Sequence, residues 1–194
     1  METDWEFEVG GDAPVIDASS AGFVDLPGSP ERAWDLPETR LLPGLGEALI
    51  KLNSPDSAFW TSKCDVWPDL AADEFDPDEL DAPPGCRVHA MGCYIDLVPR
   101  DERRWVDPKK TAAECREICG LLRAISLRCC RADLVIRRAI VAADGCGEQH
   151  ECLGVTAYLT SCGECAAAAR QALQAALTAL TDAIGCAERH STLE

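Results

Sequence analysis

The hydrophobic period of this chain switches between that of a strand and that of a helix in a fixed order: strand, strand, helix, three times over. Trp5–Val9 alternates apolar with acidic residues, as a half-buried strand does. Gly22–Leu26 reads as a short second strand, and Gly44–Leu52 places Leu45, Ala48, Leu49 and Leu52 on one helical face. Ala58–Trp67 and Arg87–Val98 are rich in aromatic and β-branched residues and form the next strand pair. Asp107 and Pro108 then supply an N-cap and a first helical position. The helix they open runs to about Ile125, with Ala112, Cys115, Ile118, Cys119 and Leu122 on one side. Arg128–Val141 and Leu153–Thr160 are the last strands, joined by a loop holding the turn signal Asp144-Gly145. Ser161-x-x-Glu164 reads as a capping box for the longest helix, which reaches about Cys186 with Leu173, Leu177, Leu180 and Ile184 as its stripe.

This order predicts one α+β domain over residues 1–194, a two-layer sandwich. The expected sheet has about six strands, is mostly antiparallel, and carries three main helices on one face. A ferredoxin-like or TATA-binding-protein-like arrangement fits the order. In either, the second face of the sheet is left open, at least in part.

Charge narrows the range of functions. The chain has 194 residues and a net charge of -16. Residues 1–100 hold 6 Lys+Arg against 21 Asp+Glu, whereas residues 101–194 hold 12 against 13. Such an excess of acid repels phosphates, which argues against nucleic-acid partners and anionic membrane surfaces. Nothing approaches the ~18 consecutive apolar residues of a membrane-spanning helix. The opening METDWEFEVG lacks the basic and apolar regions of a secretory signal, so a cytoplasmic location is expected. Residues 68–85 carry seven acids, no base, four prolines and a glycine, and read as a solvated acidic loop. Trp67 just before it and Leu70, Phe75 and Leu80 within it are spaced as apolar anchors that leave the acids wet. Residues 26–40, with three prolines, read as irregular.

Splitting each strand by alternation yields a candidate site. Trp60, Cys64 and Val66 are assigned to the helix side of Ala58–Trp67, and Thr61, Lys63, Asp65 and Trp67 to the open side. Tyr94, Asp96, Arg131, Asp133, Arg137, Thr156 and Tyr158 join the open set from the other strands. Aromatics supply stacking area, and charges on rigid strands supply directed hydrogen bonds, so this set has the composition of a recognition surface. The expected function is a non-catalytic binding module for a small polar ligand or a peptide, with a small molecule or protein as partner. A purely structural or oligomerisation domain is an alternative, and homo-oligomers are left open.

A second alternative centres on Cys162-Gly163-Glu164-Cys165, placed at a helix start. A helix N-terminus favours thiolate, which gives a thiol-redox reading, similar in placement to the motif of thioredoxin. Half of a zinc site is the metal reading, with Cys115/Cys119 or Cys146/Cys152 as the second pair. No cofactor is otherwise implied. The chain has 12 cysteines, and in a reducing compartment most are expected to pack as small hydrophobes.

Overall fold

The computed structural model describes residues 1–8, 13, 15–16, 24–83, 88–101, 103–142 and 149–191. In chain order the elements are β1 (Glu2–Phe7), β2 (Val15–Ile16), a 3-10 helix (Pro30–Asp35), α1 (Pro37–Leu41), α2 (Pro43–Leu52), β3 (Phe59–Trp67), β4 (His89–Pro99), α3 (Pro108–Arg123), β5 (Cys130–Ala142), β6 (Gln149–Gly163) and α4 (Ala166–Ser191). The fold is α+β, built on a single six-stranded sheet ordered β1-β5-β6-β4-β3, with β2 also paired to β5.

The sheet is mixed, which corrects the mostly antiparallel expectation. β3, β4, β5 and β6 pair antiparallel, but β1 and β2 both run parallel to β5 along its outer edge. Alternation marks a strand but not its neighbour, and β1 finds its partner at the far end of the sequence. The short strand after β1 is Val15–Ile16 rather than Gly22–Leu26. Gly22 and Phe23 lie outside the described residues, as does Val9. Leu26 opens a turn in which the Gly28 amide donates to Asp25 Oδ1 at 2.9 Å.

Prolines set the helix starts. Pro30, Pro37, Pro43 and Pro108 each occupy the first turn of a helix, where a missing N–H leaves no bond unmade. The region expected to be irregular therefore contains two short helices. α3 begins as anticipated, with the Asp107 carboxylate accepting from the Lys109 amide. α4 starts later than the capping-box reading. Ser161 is still in β6, its hydroxyl donating to the Ala169 carbonyl, and the first helical turn closes on the Cys165 carbonyl. Gly163 makes this corner, since a Cβ there would lie 2.6 Å from the Ala169 nitrogen.

One apolar cluster joins α2, α3 and α4 to the sheet. Cys93, Ile95 and Leu97 of β4, Ala132, Leu134 and Ile136 of β5, and Val155, Ala157 and Leu159 of β6 all belong to it. Leu173, Ala176, Leu177 and Leu180 of α4 are fully buried against them. No helix among the described residues is long and apolar enough to cross a membrane. Leu177→Ala is expected to lower the unfolding free energy by about 2–5 kcal/mol, through lost transfer energy and a cavity. Glu47→Gln, on the exposed side of α2, is expected to change it by less than about 0.5 kcal/mol. Urea unfolding followed by circular dichroism measures both.

Candidate functional site

Residues paired across neighbouring strands point to the same face, so the register writes the open face row by row. The central row is Asp65–Tyr94–Tyr158–Asp133–Asp4, crossing β3, β4, β6, β5 and β1. Beside it run Asp96–Thr156–Val135–Glu6 on one side and Trp67–Gly92–Thr160–Arg131–Glu2 on the other. Lys63, Asp65, Trp67, Tyr94, Asp96, Arg131, Asp133, Arg137, Thr156 and Tyr158 are thus gathered on the face away from the helix-side core.

Thr61 is the exception. A bulge between Thr61 and Cys64 inserts an extra residue into β3 and reverses the alternation before it. Thr61 faces the helices, buried, and receives a hydrogen bond from Asn53 Nδ2 at 2.7 Å while its own amide donates to Asn53 Oδ1 at 3.0 Å. Trp60, assigned to the helix side, lies on the open face instead, packed with Ile16, Val98, Ala139 and Cys152.

Three rings form the centre of the face. The Trp67 and Tyr158 rings are nearly parallel, at 11° and 6.5 Å between centroids, and Tyr94 lies 5.6 Å from Trp67 and 5.9 Å from Tyr158. Gly92 makes this possible, because a Cβ there would sit 3.0 Å from the Trp67 indole. Arg137 stands over Tyr158 at 5.9 Å from its centroid and pairs with Glu8 at 3.0 Å. Arg131 holds Asp133 through Nε at 2.8 and 2.9 Å, and Glu79 at 3.0 Å.

Residues 68–83 form a strap over one end of this face. Leu70, Phe75 and Leu80 pack with Ala90, Cys129 and Cys162, while the seven acids remain exposed. The Leu70 amide donates to Ala90 O, and Arg128 grips Asp81 at 2.7 Å. Asp81 and Cys129 both adopt left-handed backbone, with φ of 53° and 60°.

The acids of β1 were invisible as site residues in the sequence. Their alternation was legible, but their place beside β5 was not. Glu2, Asp4, Glu6 and Glu8 share the open face, and Asp4, Glu6, Arg131, Asp133 and Tyr158 line one cleft of about 340 Å³. On the other side of the rings, the Tyr94 phenol is pushed up by burial first and then by Asp96 and Asp65.

Asp96 is half-buried and accepts a 2.5 Å hydrogen bond from Thr156 Oγ1. Burial raises its pKa, against the lowering effects of Thr156, Arg137 and Lys63. The folded chain therefore holds this proton at higher pH than the unfolded chain does. Its contribution to stability falls as pH rises from the ordinary carboxylate value, about 3.9, through the raised one. Asp96→Asn, which keeps an acceptor for Thr156, is expected to remove that slope. Its melting temperature relative to the native chain should rise between about pH 3 and pH 7, and a flat difference across that range would show Asp96 to titrate normally.

The Cys162-x-x-Cys165 pair is split between two environments. Cys162 is buried at the end of β6 beneath the strap, and Cys165 is exposed at the start of α4. The Cys162 thiol is pushed up to about 11, by burial first and then by the neighbouring Cys129. Of the residues considered as a second metal-binding pair, Cys115 and Cys119 lie in the helix-side core, Cys152 belongs to the Trp60 cluster, and Cys146 lies outside the described residues. Among the described residues no group of three or more His, Cys, Asp or Glu side chains could hold a metal ion. Iodoacetamide on the native chain at pH 8 is expected to modify Cys165 and spare Cys162, of which only about one thiol in a thousand is ionised there. Peptide mapping by mass spectrometry reads the result.

A second cleft, of about 630 Å³, opens at the start of α3 between Arg100, Arg103, Arg104, Lys110, Glu114 and Glu117. Two of these four cations are committed to the fold. Arg100 donates to the carbonyls of Ser57 and Asn53, and Arg104 pairs with Glu114, which also accepts from Trp105 Nε1.

Comparison of the chain with protein-family models, curated proteins and solved structures returned no match. The functional reading therefore stands on these side chains alone.

Proposed function

We propose that this protein is a non-catalytic binding module that takes a polar ligand or a peptide on the open face of its sheet. The observation that carries this reading is the Trp67–Tyr94–Tyr158 cluster, set among charged side chains on the strands of a well-packed sheet. Aromatic area left partly exposed beside fixed charges suits recognition. Binding is favoured over acid–base catalysis because Asp65 and Lys63 are exposed, and the half-buried carboxylates Asp133 and Asp96 are engaged by Arg131 and Thr156. The raised thiols of Cys64, Cys93, Cys115 and Cys162 suit inert packing in a reducing compartment such as the cytosol.

The test is a thermal-shift screen of charged and polar metabolites and short peptides against the native chain and Trp67→Ala/Tyr158→Ala. At least one compound should raise the native melting temperature by about 2 °C or more. Loss of two aromatic contacts, each about 0.5–1.5 kcal/mol, should weaken it roughly tenfold or more in the variant. Compounds that stabilise both proteins equally would remove this face from consideration.

A further inference from the structure

We propose that the occupant of the open face is a basic peptide segment of a partner protein, laid across the strands with its Arg or Lys side chains over the aromatic cluster. This rests on reading that face as a binding surface.

Charge complementarity is the first argument. The central row places two tyrosines between carboxylates, Asp65 on β3 and Asp133 and Asp4 on β5 and β1. Glu6 of β1 and Glu8 just beyond it lie on the same face, and the strap adds exposed acids at one end. Of the three bases on this face, Lys63 is exposed near Asp96 and the two arginines are already engaged. Arg131 is shared between Asp133 and Glu79, and Arg137 is paired with Glu8. Asp4 lies directly opposite Asp133; Arg131 answers Asp133, whereas among the described residues Asp4, Glu6 and Asp65 form no salt bridge, so repulsion among the remaining carboxylates persists. A cation relieves that repulsion, a neutral ligand leaves it, and an anion adds to it.

The rings give the second argument. Arg137 already stands over Tyr158 at 5.9 Å from the ring centroid, so this cluster accepts a guanidinium on its face. The third argument is extent. From β3 to β1 the row crosses five strands, a span of about 19 Å at ~4.8 Å per strand. An extended peptide of about six residues at ~3.3 Å each reaches across it, whereas a single amine fills one gap.

The test uses the full chain and a fluorescently labelled octa-arginine peptide, with anisotropy read at low and at physiological salt. Two variants remove the same number of charges: Glu6→Gln/Asp65→Asn on the open face, and Glu31→Gln/Glu47→Gln among the helices. All four positions are exposed, and circular dichroism confirms the fold of each variant. The face pair and Trp67→Ala should each weaken binding at least fivefold, and the helix pair less than twofold. Equal weakening by the two pairs would reduce the effect to bulk charge and overturn the inference. Full displacement of the peptide by equimolar spermine would also overturn it, by assigning the face to small polyamines. If octa-arginine ignores the face while a neutral or anionic compound from the thermal-shift screen is lost in Trp67→Ala/Tyr158→Ala, the basic partner falls and the binding face stands. If neither responds, both fall.

Discussion

Everything on the open face depends on the burial of α4 against the middle of the sheet. β6 is flanked by β5 and β4, and α4 covers one of its faces. The contact is close because Ala169, Ala176 and Ala187, fully buried among Leu173, Leu177 and Leu180, bring the helix axis near the strands. Side chains alternate along β6, so fixing Val155, Ala157 and Leu159 inward also fixes Thr156, Tyr158 and Thr160 outward. A platform held this way has little freedom left to lose when something settles on it.

The electrostatics of that platform follow from where its charges sit. Exposed carboxylates in β1 and the strap keep their water, so their mutual repulsion is screened. The half-buried ones are treated differently. Asp133 is held by Arg131, and Asp96 by Thr156, with Arg137 and Lys63 in range. The strap follows the same rule, with Leu70, Phe75 and Leu80 under cover and its acids outside.

Much of this was legible in the sequence. Period two and period 3.6 located α2, α3 and the four long strands to within a few residues, and alternation put Tyr94, Tyr158, Asp133 and Arg137 on one face. What it missed has physical reasons. The bulge in β3 exchanges the sides of Trp60 and Thr61, and a bulge leaves no mark in the hydrophobic pattern. The parallel pairing of β1 with β5 is a long-range choice, so the carboxylates of Asp4 and Glu6 could be seen but not placed. Ser161 had the residues of a capping box, but pairing with β4 kept the strand running to Gly163. Pro30 and Pro37 signalled helix starts that their mixed surroundings concealed.

The pairing of β1 with β5 has a consequence for how the molecule assembles. The Met1 nitrogen donates to the Ile125 carbonyl across 124 residues of sequence, and β1 meets nothing in the sheet but β5. Hairpins such as β5–β6 close short loops, whereas seating β1 closes the longest one, and non-local contacts form slowly. β1 therefore closes its loop onto an edge that β5 and β6 can form without it. Until it does, β5 presents an unpaired edge along Arg131–Ile136, and the face lacks the carboxylates of Asp4 and Glu6.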